Sequence, residues 1–462
     1  MKPTFKNISL KTLKVLRITI ASILLLMFLI PLLFPGQIAS EVKKIANERL
    51  DTKMDFSKSK LSFFTHFPSL TVSLDDLSLT GSKPFSNDTL LNAKQVSFGI
   101  NIKRLLFNNE VKINKLYVSK AMINVMVNQK GEANYNIYIA PDDKKDKNKN
   151  DENTPDEGTA IRLERIDFED CHIKYNDRSA KILVDAKGFN YVGKGNLSED
   201  IFDLSTDAQI DNVDFYYDRT AYLRKKELHA DLITRINTHA LSFILQKNEL
   251  HINKLPLSFT GLFTILRDGY KINIKAASEN TTLKDLFSVM PPEYLTWMED
   301  TQMSGRSDLL FTFKGNYNVA KKQKPDLAFN MKIKDGSINY QNAMVPLTQI
   351  EMNLNAIMPS LDLEKLMINL KTFQFKVGNK DYFTAFLQSK GYTEMNVKAK
   401  IKGALDLATI DESLGLKTIH LKGILKTDIE ANGLFSTSKK LFPKTKGGIS
   451  LQNGWLKTDY YP

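Results

Sequence analysis

The most apolar segment of the chain lies near its N-terminus. From Leu13 to Phe34 the only charged side chains are Lys14 and Arg17. A helix rises about 1.5 Å per residue, so this segment would cover about 33 Å, enough to cross a bilayer. We therefore predict a transmembrane helix over residues 13–35. Its predicted membrane-spanning side chains are Ile18, Leu24, Leu25, Leu26, Phe28, Leu29, Leu32 and Leu33.

Positive charges precede this helix, and no acidic residue occurs before Glu41. The excess of Lys and Arg on one side predicts that residues 1–12 form a cytoplasmic tip and that the chain after the helix is exported. A cleaved signal peptide is the competing interpretation, since it shares the positive start. The long apolar run and the unsuitable cleavage sequence GQIAS at 36–40 favour the uncleaved anchor.

After a short helix predicted at 40–50, the hydrophobic period changes to two. Apolar side chains alternate with polar ones, which is typical of strands with one apolar and one polar face. The same alternation returns at 182–186, 228–232, 255–259 and 270–276. The apolar positions of the first strands are Leu70, Val72, Leu74, Val96, Phe98, Ile100, Ile102, Val111 and Ile113.

Few helices are predicted between these strands. A helical segment covers 282–290 and ends at Pro291 and Pro292. A second helix follows at 293–299, with Pro292 near its N-terminus. Parallel neighbours need long crossover connections, so strands that follow one another this closely favour antiparallel pairing. The sequence therefore predicts a mostly β fold with a few short helices.

The C-terminal part contains an internal repeat. Residues 305–340 align with residues 423–458 at one constant offset and without gaps, so that Gly315 matches Gly433. Glycines and a proline that recur in register predict the same turns between the same strands. Chance similarity is the alternative. The second copy is incomplete at the end of the sequence, so we expect an N-terminal portion of a longer repeat protein.

The composition is that of an ordinary folded protein, with 25% charged and 42% hydrophobic residues among 462. The net charge of +12 is spread without a dense basic stripe, which argues against a nucleic-acid partner. The stretch PDDKKDKNKNDENTPDEG predicts a disordered loop. The predicted regions are the tip 1–12, the helix 13–35, a first β region 36–140, the loop 141–160, a second β region 161–280 and the β repeats 281–462.

No residue pattern predicts a catalytic, cofactor-binding or metal site. The adjacent carboxylates Asp75 and Asp76 would point to opposite faces of a strand. The motifs GxSxG and HExxH and a phosphate-binding glycine loop are absent from the sequence. The six histidines have no ligand spacing, and Cys171 is the only cysteine. We therefore expect a protein that is not an enzyme and uses no cofactor.

Four segments carry a resemblance to a known family. They are FFTHFPSLTVSLDDLSLTG at 63–81, GEANY at 131–135, LKDLFSVMPPEYL at 283–295 and GALDLATI at 403–410. In this order, and behind an N-terminal anchor, they resemble the AsmA-like family, which is related to TamB-type bridge-like lipid-transfer proteins. The resemblance covers nearly the whole chain, and the family has no catalytic motif to carry over.

The resemblance implies both a fold and a function. The implied fold is an N-terminal transmembrane helix followed by an elongated, curved antiparallel β-sheet groove. The implied protein is anchored in the inner membrane of a Gram-negative envelope, has its body in the periplasm, and carries phospholipids in support of outer-membrane biogenesis. The apolar positions of the first strands are then the lipid-contact candidates. An outer-membrane or envelope protein is the expected partner at the far end.

A non-catalytic envelope scaffold, or an outer-membrane protein assembly factor, is the alternative function. Its alternating strands would close into a dry core, and it would act through protein contacts. A period of two cannot separate an open groove from a closed core, because both structures have one apolar face.

Overall fold

A computed structural model of the protein describes most of the chain after residue 50. The described residues are 14–15, 17–19, 22, 25, 50–62, 66, 69–100, 113–137, 163–197, 199–266, 269–318, 321–341, 343, 345–378, 381–415 and 419–458. Strands make up 72% of the structure and helices are few, so the predicted mostly β fold is confirmed.

The predicted anchor at 13–35 falls largely outside the described residues. Those that are described in this segment are helical, and they include Ile18 and Leu25. Within the part of the chain that the structure describes, no helix is both long and apolar enough to cross a membrane. The transmembrane helix therefore stays a prediction. Outside the described residues lie Leu24, Leu26, Phe28, Leu29, Leu32, Leu33, residues 40–49 of the predicted short helix and the predicted loop at 141–160.

The chain divides into two compact units. The N-terminal unit comprises Met1–Glu199 and Ala208–Tyr222, and the C-terminal unit comprises Asp200–Asp207 and Leu223–Pro462. These limits differ from the regions predicted from sequence, whose boundaries fall near residues 160 and 280. Strands β8 (Ile201–Tyr217) and β9 (Thr220–Asn237) contribute residues to both units.

The N-terminal unit contains strands β1 to β7. Their bounds are β1 Met54–Asp55, β2 Lys58–Ser62, β3 Leu70–Thr80, β4 Thr89–Ile100, β5 Ile113–Val127, β6 Arg165–Asp177 and β7 Ile182–Lys194. Strands β1 and β2 both pair with β3, and the antiparallel ladder continues through β4 to β5. Strand β6 pairs with β5 in parallel and with β7 in antiparallel orientation.

The parallel pair β5–β6 departs from the predicted antiparallel pairing, which is wrong at this point. Parallel neighbours need a connection of a dozen or more residues, because the chain has to return to the end of the sheet at which the first strand began. Residues 128–164, which join β5 to β6, are long enough for this return. The charged segment at 141–160 belongs to this connection. The strands on either side of it are therefore parallel neighbours, whereas the sequence predicted antiparallel pairing.

The C-terminal unit continues from β9 to β20 as an antiparallel ladder in which each strand pairs with the next. Its strands are β10 Ser242–Ile252, β11 Leu255–Leu266, β12 Gly269–Thr282, β13 Thr301–Tyr317, β14 Asp326–Tyr340, β15 Leu347–Met358, β16 Met367–Val377, β17 Asp381–Lys390, β18 Met395–Asp406, β19 Ile419–Phe435 and β20 Lys444–Thr458. Its α-helices are α1 Leu283–Phe287, α2 Pro292–Glu299 and α3 Leu407–Leu414.

Each of these helices has a local reason to begin where it does. The Thr282 hydroxyl accepts a hydrogen bond from the Asp285 amide and caps α1. Helix α2 begins at Pro292, whose fixed φ suits the first helical turn. Asp406 caps α3, and Gly415 ends it in the left-handed conformation with φ of 59°. The two predicted helical segments thus correspond to α1 and α2, at slightly different bounds.

The two sequence repeats have equivalent elements. Strands β13 and β14 match β19 and β20 end for end at the constant offset of the sequence alignment. The backbone is equivalent as well, because Gly305 and Gly423 have φ of 110° and 115°, while Gly315 and Gly433 have φ of 141° and 140°. These angles are open to glycine and are strained for other residues, which explains why glycine recurs at both places.

Substitution of Gly305 by alanine is expected to destabilise the C-terminal unit by about 1–3 kcal/mol. The added Cβ would lie 2.6 Å from the Gly336 Cα across the β13–β14 pair, and the backbone would keep its positive φ. The matched control is Gly448→Ala on β20, where the added Cβ would have no neighbour within 4 Å. The midpoint of urea unfolding, followed by circular dichroism, measures both. Equal shifts in the two variants would contradict the prediction.

Candidate functional site

The lipid-contact candidates of the first strands share one face of the N-terminal unit. They form three cross-strand rows, Leu70–Ile100–Ile113, Val72–Phe98–Leu116 and Leu74–Val96–Val118. The candidates Ile102 and Val111 lie outside the described residues. The alternation of the sequence therefore corresponds to a shared apolar face at every described candidate position.

Most of this face is a packed core. Leu74 is 1% exposed and Val96 is 3% exposed, and Leu70 and Val72 are buried as well. Val72, Leu74 and Val96 belong to one hydrophobic cluster with Phe56. An acyl chain could reach these side chains only by displacing their neighbours. Among the described candidates, Phe98, Ile100 and Ile113 are half-buried rather than buried.

Cys171 belongs to the same cluster. It is 1% exposed, and burial raises the pKa of its thiol. A buried thiol with a raised pKa carries little thiolate at neutral pH, so Cys171 acts as a small apolar side chain of the core.

The acidic pair considered in the sequence is not an acid–base pair in the structure. Asp75 forms an ion pair with Lys60 at 2.5 Å and accepts a hydrogen bond from Gln95 Nε2. These hydrogen bonds lower the pKa of Asp75. Asp76 has a left-handed backbone with φ of 52° and accepts a hydrogen bond from Ser57 instead. The two carboxylates therefore have separate partners and are not coupled as a proton donor and acceptor.

A second apolar face lies in the C-terminal unit, and we call it the C-terminal apolar face. Cross-strand pairing on β13 to β17 aligns its side chains in rows. The rows are Leu309–Met331–Leu354–Leu370–Leu387, Phe311–Phe329–Ala356–Ile368 and Phe313–Leu327–Met358. Unlike the core positions of the N-terminal unit, these side chains are half-buried, and Phe311 is 38% exposed.

Aromatic side chains extend the C-terminal apolar face on both sides of these rows. The rings of Phe375 and Phe383 stack across β16 and β17 with centroids 5.4 Å apart. On the other side, the ring of Tyr270 stacks with Phe263 at 5.5 Å and with Tyr317 at 6.2 Å. The face is therefore continuous from β11 to β17.

The short helices cover one end of the C-terminal apolar face. Leu283 of α1 and Ile410 of α3 are buried in a cluster with Ile333 on β14. Trp297 of α2 donates a hydrogen bond from Nε1 to the Leu414 carbonyl of α3 at 2.6 Å, which joins the helices. Away from this end, the described strands of the C-terminal unit pair with their neighbours within a single sheet, and the side chains of the three rows are only half-buried or, at Phe311, exposed.

The residues of the C-terminal apolar face are not among the lipid-contact candidates predicted from the sequence. Those candidates came from the first strands, although residues 309–313 and 327–331 also carry apolar side chains at every second position. The alternation identified an apolar face in both units, and it could not tell which face is buried. Partial exposure is a property of the tertiary structure, because it depends on what packs over the strand.

The model of the AsmA family matches residues 10–205. No curated protein gives a significant match to the chain, and no solved structure does either.

Proposed function

We propose that this chain, whose residues 10–205 match the AsmA family, is an AsmA-like protein that shields and carries phospholipids between the inner and outer membranes of a Gram-negative envelope. The cargo would lie on apolar β-sheet surface, and the transfer would support outer-membrane biogenesis. The predicted helix at 13–35 would hold the chain in the inner membrane, with its N-terminus cytoplasmic and its body periplasmic.

The C-terminal apolar face is the observation that carries this proposal. Its three rows consist of Leu, Met, Phe, Ala and Ile alone, and their side chains are half-buried or, at Phe311, exposed. A continuous, partly exposed apolar surface usually marks a binding site, because soluble proteins avoid such surface elsewhere. An extended hydrophobic ligand would complete the burial of this face.

Acyl chains fit this surface on energetic grounds. Each CH₂ group that leaves water gains about 0.8 kcal/mol. A row of aliphatic and aromatic side chains would supply that gain without directed polar contacts, so it would accept many phospholipids and hold none of them tightly. Such transfer requires no bond-making chemistry, which is consistent with our expectation that the protein is not an enzyme. An envelope protein at the far end would receive the lipid.

Site-specific photocrosslinking tests this function. A benzophenone amino acid at Phe329 would lie on the C-terminal apolar face, and the same group at Asn330 would lie on the opposite face of β14. We expect phospholipid adducts from position 329 at least about tenfold in excess of those from position 330, measured by mass spectrometry after irradiation of cells. Equal adducts at both positions would contradict lipid carriage. Protein adducts without lipid at position 329 would instead favour the scaffold.

A further inference from the structure

We propose that the polar face of the C-terminal unit binds a divalent transition-metal ion of the zinc class through Asp207, His229 and Asp231. One ligand atom from each of these side chains lies within 4.8 Å of the others. Asp207 is on β8, and the other two residues are on β9. This site is separate from the C-terminal apolar face, and it does not depend on lipid carriage.

Strand geometry explains how the residues meet. His229 and Asp231 are two positions apart on β9, so their side chains project from the same face. Register places His251 of β10 opposite His229, and Glu249 opposite Asp231. The rings of His229 and His251 have centroids 6.5 Å apart. Two imidazoles and three carboxylates therefore share one face of three strands, although the histidines look scattered along the sequence.

The distances suit a tetrahedral ion. His229 Nε2 lies 3.4 Å from an Asp231 carboxylate oxygen. Two ligand atoms bonded to a tetrahedral zinc at about 2.0–2.1 Å stand about 3.4 Å apart, so this pair already spans one edge of a coordination site. Side-chain rotation would bring Asp207 onto the same ion, and His251 could supply a fourth ligand. Imidazole ligands favour zinc, copper or nickel over calcium and magnesium, which prefer oxygen alone.

Charge also favours a cation at this place. Within the described part of the chain, no hydrogen bond or ion pair is found for the Asp207 carboxylate, and the ion pair of the Asp231 carboxylate is with His229. Two carboxylates held this close repel each other, and a dication would relieve that repulsion.

Other histidine–carboxylate pairs in the protein differ from this cluster. His172 and Asp185 are 2.6 Å apart, and His239 and Asp200 are 3.0 Å apart. Those separations are ordinary hydrogen bonds between one imidazole and one carboxylate. Only the cluster around His229 combines a longer separation with a second carboxylate and a facing imidazole, among the residues that the structure describes.

Zinc binding to the purified 462-residue chain tests the proposal. After treatment with a chelator, the protein is titrated with Zn²⁺ in competition with a chromophoric zinc indicator. We expect about one bound Zn²⁺ per chain and an affinity at least about tenfold weaker in His229→Gln and in Asp207→Asn, because each removes a ligand. His239→Gln is the matched control, since it removes an exposed imidazole from an ordinary pair in the same unit and should leave the affinity unchanged.

Three results would overturn the proposal. They are an absence of saturable zinc binding, unchanged affinity in His229→Gln, and an equal loss of affinity in the His239→Gln control. Thermal unfolding of each apo variant checks that the fold is retained, and the substituted side chains are partly or fully exposed, so we expect it to be. Because the readout is bound zinc, a failure here leaves the lipid-carrier proposal standing, and the converse also holds.

Discussion

Replacement of Phe329 and Leu354 together by aspartate is expected to lower the amount of phospholipid that copurifies with the protein at least about tenfold. Both side chains lie half-buried in the middle of the C-terminal apolar face. An ionised carboxylate in contact with an acyl chain would lose part of its hydration, at an effective cost of several kcal/mol. Each 1.4 kcal/mol changes binding tenfold. Mass spectrometry of extracted lipid, expressed as moles per mole of protein, measures the effect.

The matched control places the same charges on the opposite face of the same strands. Asn330→Asp and Asn353→Asp together add two carboxylates, one position away from each tested residue. Asn330 accepts a hydrogen bond from Asn355 Nδ2 at 2.5 Å, which an aspartate can also accept. Asn353 pairs in register with Lys332, whose charge favours an added carboxylate. The control should keep its lipid, and equal lipid in both double variants would contradict the role of this face.

Replacement of Lys226 by methionine is expected to destabilise the C-terminal unit by about 2–4 kcal/mol. Lys226 is 1% exposed, and its ammonium donates hydrogen bonds to the carbonyls of Ser288 and Met290, just after α1. A cation at the C-terminus of a helix satisfies carbonyls that have no partner within the helix. Methionine keeps most of the side-chain volume but removes the charge and every donor. Urea unfolding measures the change in free energy.

Lys275→Met is the control for this prediction. Lys275 lies on β12 of the same unit and is exposed, so its loss should change the free energy of unfolding by no more than about 0.5 kcal/mol. The contrast separates the effect of a buried ammonium from the general effect of removing a lysine. A stability loss of equal size in both variants would show that the contacts of Lys226 with the residues after α1 contribute little.

Much of the fold follows from local patterns. Alternation at 255–259 and 270–276 predicted strands, and these segments lie in β11 and β12 with their apolar residues on one face. The recurring glycines predicted equivalent backbone in the two repeats, and Gly305 and Gly423 do share a positive φ, although they lie at register irregularities inside β13 and β19 and not in the predicted turns. Pro292 predicted a helix start, since its ring fixes a backbone angle. These features depend on a residue and its immediate neighbours, so the sequence alone determines them.

The tertiary structure decided what depends on distant partners. Leu74 and Leu354 have the same alternating pattern, yet the first is 1% exposed and the second is half-buried on an open face. The parallel pairing of β5 with β6 depends on a connection that returns the chain to the end of the sheet at which β5 begins. The meeting of Asp207 with His229, and the burial of Lys226 beneath the end of α1, depend on which segments pack together. A period of two determines on which face of a strand each side chain lies. Its exposure and its packing partners are determined by elements that are distant in the sequence.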